Sequence, residues 1–218
     1  GISPARMSGL TDRHLCDFVA AAHKAAGHGL VPCSSGNLSW RIDEARMIVS
    51  ASRSWLAQLT EDDVVLCRIE DGVVLNEKSP SVETRFHCGI FRRRSDVSVV
   101  LHFQSPFATA AACIDPPVEN FDILPEIPFY IGDVASVPYL PPGSPELADA
   151  VVEAMADANM LVMANHGLVT VGRTFDDAIQ KAVFFELACG VLFRTGDRAA
   201  MLSSDAVAAL RAAGSSAV

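Results

Sequence analysis

Between Leu10 and Ala26 apolar residues recur at Leu15, Phe18, Val19 and Ala22, the spacing of a helix with one buried face, and Gly27 and Gly29 supply its stop. The pattern then shortens. NLSWR, MIVSA and DVVLCRIEDGVVLN predict strands, and Asp71-Gly72 between β-branched runs predicts a hairpin. Pro80-Ser81 opens SVETRFHCGIFRRR, in which Phe86, Ile90 and Phe91 share a helical face, Ser81 is suited to cap the first turn and Glu83 falls within that turn. VSVVLHF predicts an apolar strand with His102 near its end, and PFATAAAC resumes helical composition. The proline-rich, acidic stretch from Ile114 to Pro142 has no clear period and predicts an irregular excursion with one short strand near Ser136 to Tyr139. Beyond it, PELADAVVEAMADA predicts a helix, LVMAN and GLVTVG two strands joined tightly through Asn165-His166-Gly167, and TFDDAIQKAVFFELACGVLFR a long helix capped by Thr174. An Ala/Ser-rich tail closes the chain.

Length and composition narrow the class. The 218 residues suit one domain with a substantial core, assigned to residues 8–218, with residues 1–7 expected to form a disordered or expression-derived end. Half of the residues are hydrophobic, yet no apolar run approaches the roughly 20 residues of a membrane span, and no leader pattern opens the chain. A soluble protein is expected. Its formal net charge of -9 argues against nucleic acid or an anionic membrane as partner, because phosphate backbones demand a positive field; a small anionic substrate remains compatible with a local site. Cys16, Cys33, Cys67, Cys88, Cys113 and Cys189 are scattered without a C-x-x-C pair, which points to reduced core cysteines and a cytoplasmic setting.

Several positions carry candidate chemistry. In VLHFQSP, His102 and Gln104 lie two apart, so on a strand they would face one side together while Phe103 enters the opposite layer. Such a histidine reads either as a hydrogen-bonded core residue or as half of a metal site. His166, in a tight turn between apolar strands, sits where a ligand or base would be presented. Ser34-Ser35-Gly36-Asn37 is either an ordinary loop or a turn whose backbone N–H groups and side chains receive an anion. Ser50-Ala51-Ser52-Arg53 adds hydroxyls and a guanidinium able to grip phosphate or carboxylate, or else a solvated turn. Glu83 by itself is a carboxylate favoured by a helix dipole.

Taken in order, SSGNLSWR, SASRSWLAQLT, SPSVETRFH, VLHFQSPFATA and NHGLVTVGRTFDDAIQKA resemble the successive motifs of the class II aldolase/adducin family, to which fuculose-phosphate aldolase belongs, over about Leu10 to Arg194. The resemblance implies an α/β fold, a three-layer α/β/α sandwich with a mostly antiparallel central sheet, assembled as a homotetramer with active sites between subunits. It implies one divalent metal ion per subunit, Zn²⁺ first and Mn²⁺ as the alternative, with His102 and His166 as ligands and Glu83 as the acid/base glutamate that can also ligate the resting metal. It implies an anion pocket of Ser34, Gly36, Asn37, Ser52 and Ser81.

Three departures bear on function. The family's H-x-H is His102-Phe103-Gln104, the second serine of P-S-S-E is Val82, and the glycine ending the TPSG-like turn is Arg53. Neither Tyr130 nor Tyr139 aligns with the family's substrate tyrosine. Gln104 is therefore expected to supply a weak amide-oxygen ligand or hold a metal-bound water, and Arg53 to bind the substrate's anionic group. The implied activity is that of a metal-dependent lyase, an aldolase or decarboxylase cleaving a C–C bond next to a carbonyl in a small hydroxylated, phosphorylated or carboxylated substrate. The alternatives are a non-catalytic, adducin-like interaction protein and a sugar-phosphate epimerase or dehydratase.

Overall fold

The structure, a computed structural model, describes residues 9–216, and the expectation for residues 1–7 lies outside them. Helix α1, Asp12–Gly27, starts where the Thr11 hydroxyl accepts from the backbone N–H of His14 while the His14 ring accepts from the N–H of Thr11. It leads into strands β1 (Asn37–Arg41), β2 (Arg46–Ser50) and β3 (Val64–Arg68). Then come α2 (Thr84–Arg93), β4 (Val99–Phe103), α3 (Pro106–Ala112), β5 (Val134–Val137), α4 (Pro145–Ala154), β6 (Met160–Met163), β7 (Gly167–Gly172), α5 (Phe175–Thr195) and α6 (Ser204–Ser216).

The seven strands form one sheet in the order β3-β2-β1-β4-β7-β6-β5. It is a mixed sheet. Neighbours pair antiparallel except β5 and β6, which run parallel, so the expectation of a mostly antiparallel sheet is corrected at that edge. The cause is α4, which lies between β5 and β6 as a crossover helix, so that β6 runs in the direction of β5 rather than returning as a hairpin partner.

Alternation along the strands sorts the core into two clusters. Ile48, Val99, Leu101 and Phe103 join α1, α3 and α5 in one; Met47, Val49, Val100, Val169 and Val171 join α2 and α4 in the other. All of β4 is buried. A large apolar side chain buried there contributes about 1.5–3 kcal/mol. The polar His102 is therefore costly in that strand unless its ring nitrogens find partners.

Five further features differ from the reading of the sequence. The Asp71-Gly72 turn forms, but its return arm pairs only through an isolated Cys67–Val74 bridge. The short strand lies at Val134–Val137, and the Ala/Ser-rich tail contains α6. Glu83 stands at the N-cap of α2 rather than inside its first turn. Of the six free cysteines Cys67, Cys88 and Cys189 are buried, whereas Cys16, Cys33 and Cys113 are exposed and not core residues.

Candidate metal centre and anion pocket

His102 and Val100 share the face of β4 that looks toward α2, because Leu101 and Phe103 take the other. Its cross-strand partners are Asn37 of β1 and Val169 of β7. Across from them, Glu83 at the start of α2 points its carboxylate back to the sheet, and His166 reaches in from the β6–β7 turn, where Asn165 adopts φ +58°. Glu83 Oε1 lies 3.2 Å from His166 Nε2 and Glu83 Oε2 lies 3.8 Å from His102 Nε2. The donor atoms of these three residues all lie within 4.8 Å of one another. Gly167 makes the approach feasible, since a Cβ there would meet Phe103 O at 2.8 Å, Gln104 Cγ at 2.9 Å and His102 Cε1 at 3.2 Å.

The hydrogen bonds decide which atoms face the cluster. His102 Nδ1–H donates to the Leu168 carbonyl at 2.9 Å, so in the neutral ring Nε2 carries a lone pair aimed at the carboxylate. Glu83 Oε2 is buried and without a hydrogen-bond partner, as is His166 Nδ1. Burial pushes the Glu83 carboxyl up, but the His102 and His166 rings prevail and hold it down at about 2. Burial lowers the pKa of His102 despite the neighbouring carboxylate. An ionised carboxylate beside a neutral imidazole lone pair is an unbalanced set that a divalent cation would satisfy. The donors fit such an ion.

Gln104 lies just past the end of β4, so strand alternation does not govern it as expected. Its amide N–H donates to the His166 carbonyl at 2.5 Å, which commits the nitrogen and leaves the oxygen as the free end of the side chain. That oxygen is the atom a metal role requires.

The anion candidates divide. Asn37 Nδ2 donates to Ser81 Oγ at 3.2 Å, and Ser81 Oγ also accepts the Glu83 backbone N–H at 3.2 Å. These two anion candidates adjoin the cluster directly through Glu83. Gly36 adopts φ +74°, and a Cβ there would lie 2.6 Å from the His102 carbonyl oxygen, so only glycine fits against β4. The Ser52 turn is tied in through the backbone, Ser52 N–H donating to Ser79 O at 3.0 Å beside an Ala51–Pro80 bridge. Ser34 and Arg53 are exposed. Arg53 holds φ +61° and makes no ion pair among the described residues.

Two participants were not singled out from the sequence. Ser39 hydrogen-bonds His87 Nδ1, and His87 Nε2 hydrogen-bonds Asn37 Oδ1. Burial drives the His87 pKa down to about 3. Spacing carried the signal: Ser39 is two residues after Asn37 on one strand face, and His87 one helical turn after Glu83.

Comparison with known proteins agrees with this geometry. Residues 16–193 match the family model described as Class II Aldolase and Adducin N-terminal domain. The chain belongs to this family. It is 30% identical over 162 residues to the 3-oxo-tetronate 4-phosphate decarboxylase of Haemophilus influenzae, covering 73% of this chain and 77% of that protein. It is likewise 30% identical over 172 residues to the L-fuculose phosphate aldolase of Methanococcus maripaludis, covering 79% and 92%. Among solved structures, YgbL from Klebsiella pneumoniae superposes with a TM-score of 0.86 at 24% identity, over 93% of this chain and all 100% of that one, a likeness of fold.

Proposed function

We propose that the chain is a metal-dependent lyase that cleaves a C–C bond next to a carbonyl in a small phosphorylated or carboxylated substrate, by aldol cleavage or decarboxylation. The observation that carries this reading is the buried Glu83 carboxylate between two imidazoles, its Oε2 without a hydrogen-bond partner. Nothing in packing alone requires those three identities together. His102 and His166 would hold a divalent ion, with the Gln104 amide oxygen as a weak further donor or a support for bound water. When bound, the ion supplies a Lewis acid for the substrate's carbonyl oxygen as negative charge develops there.

The chain's own residues do the rest. Glu83, kept ionised, accepts or returns a proton at its carboxylate, and its buried position excludes bulk water from that step. Asn37 and Ser81, with Ser34, Gly36, Ser52 and Arg53, hold the anionic end of the substrate and set its distance from Glu83. Zn²⁺ suits the two imidazoles, while an amide oxygen in place of a third would admit Mn²⁺.

The wider setting follows the same reading. Residues 8–218 act as one domain, and helices packed on both sheet faces support a three-layer sandwich. The six free cysteines support a cytoplasmic location. No described helix is long and apolar enough to cross a membrane, and the acidic chain is not a nucleic-acid binder. Exposed Trp55, Val82 and Tyr139 would gain cover in a homotetramer with sites between subunits.

The test combines metal analysis of protein purified without chelator with a panel of ketose phosphates and phosphorylated oxo acids, read for aldehyde and for carbon dioxide. Stoichiometric divalent metal and release of one product are expected. Metal-free protein that stays inert after loading with Zn²⁺ or Mn²⁺ would return the chain to the interaction-protein alternative.

A further inference from the structure

The face of the sheet under α2 is apolar over most of its extent, from Met47 and Val65 to Val171. At one end it becomes polar. Asn37 and Ser39 of β1 lie beside His102 on that face, and His87 descends on them from α2; Ser39 and His87 are fully buried and Asn37 nearly so. His87 makes no hydrogen bond to Glu83's carboxylate. Its two ring nitrogens are spent on Ser39 Oγ and Asn37 Oδ1.

A neutral imidazole carries one donor and one acceptor, so the bond to one neighbour fixes the bond to the other. With the Ser39 hydroxyl donating to Nδ1, Nε2 must carry the proton and donate to a carbonyl oxygen. A primary carboxamide has two edges of nearly equal shape and opposite polarity, and only its hydrogen-bond partners choose between them. Turned one way, Asn37 offers N–H groups to Ser81 and whatever sits beside it. Turned the other way, it would aim a carbonyl oxygen at an anion and repel it.

We propose that His87 is a positioning residue for the anion pocket: braced by Ser39, it holds the Asn37 carboxamide with its oxygen inward and its N–H edge toward Ser81 and the substrate's anionic group. The proposal rests on the reading above that Asn37 and Ser81 bind that group. With Ser81 Oγ already accepting from Asn37 Nδ2 and from the Glu83 N–H, the Ser81 hydroxyl proton is left to point at the anion. One buried imidazole thereby sets the polarity of two pocket side chains, and the same Ser81 ties them to Glu83.

The test uses zinc-loaded full chain and inorganic phosphate as probe, with Kd from calorimetry and zinc content measured alongside. His87→Leu keeps bulk but removes both ring bonds, and should weaken phosphate binding about tenfold or more, the usual scale for a hydrogen bond to a charged group, with zinc content unchanged. His87→Gln offers an amide N–H near the Nε2 position and should return Kd to within about threefold of the parent. Wild-type Kd in His87→Leu would overturn the proposal, and so would equal weakening in His87→Gln, which would mark His87 as a packing residue. Should His87→Leu lose its cooperative thermal transition, nitrogen NMR of the unmodified protein decides: the Nε2–H tautomer of His87 is expected and the Nδ1–H tautomer refutes it. Asn37→Ala separates the two layers of inference. If it leaves phosphate affinity unchanged, the anion-pocket reading fails; if it weakens affinity while His87→Leu does not, only the positioning role fails.

Discussion

The carboxylate–imidazole cluster and the pocket beside it are built in contrasting ways. Glu83, His102 and His166 come from a helix cap, a fully buried strand and a tight turn, and their side chains are all nearly inaccessible, at 8%, 3% and 9% exposure. His102 is pinned by the Leu168 carbonyl and Gly167 leaves no slack behind it. The pocket grades outward instead, from buried Asn37 through half-buried Gly36, Ser52 and Ser81 to exposed Ser34 and Arg53. On the proposed reading, reaction chemistry is fixed deep in the sheet, where a misplaced charge is expensive. The proposed anion contacts sit mostly on loops, where side chains change at little cost to the fold. The departures from the family pattern follow this gradient: Val82 and Arg53 lie in the outer part, and only Gln104 touches the inner one.

The largest effect should come from the inner region. Glu83→Gln is nearly isosteric but cannot move a proton, so kcat is expected to fall by at least about 10²-fold while the thermal transition stays cooperative. Steady-state kinetics on whichever substrate the panel identifies provides the check. A variant with near-native kcat would remove Glu83 from the acid/base role and dissolve the contrast between the two regions.

That gradient also explains what could be read from the chain. Elements with a buried face were legible: α1, β4, α3, α4 and α5 fall within a few residues of the apolar pattern because burial imposes the period. The β5 edge, the reduced return arm after Asp71-Gly72 and helix α6 were not, since each is decided by contacts with distant segments that carry no local periodicity. Glu83, His102 and His166 were recognisable by type and motif, but their convergence depends on β1–β4–β7 pairing. The Ser39–His87–Asn37 relay was present as a spacing on two elements, and only the register of α2 over β1 joins it.

Gln104 tests the boundary between the regions. An imidazole is the better donor for Zn²⁺, so Gln104→His should tighten zinc about tenfold, or about 1.4 kcal/mol, if this side chain faces the ion. The amide N–H given to the His166 carbonyl would be lost in the exchange, which slightly loosens the turn and sets a ceiling on the gain. Competition with a chromophoric chelator measures it. Unchanged zinc affinity would show that Gln104 merely buttresses the His166 turn.

Arg53 gives the smallest effect and the sharpest contrast, because here stability and affinity should move in opposite directions. Its backbone holds φ +61°, a region that costs an ordinary L-residue about 1–2 kcal/mol and glycine almost nothing. Glycine's extra freedom in the unfolded chain takes back about 0.5–1 kcal/mol, so Arg53→Gly should stabilise the protein by roughly 0.5–1 kcal/mol, read from denaturant unfolding. The guanidinium has no ion-pair partner among the described residues, so no ion pair among them is lost with it. If the strain is carried in order to hold a cation over the anion pocket, the same variant should raise KM about fivefold with kcat nearly unchanged, the scale of one exposed charge-assisted hydrogen bond. A more stable variant with unaltered KM and unaltered phosphate inhibition would make Arg53 a solvated turn residue, and the outer pocket would then end at Ser52.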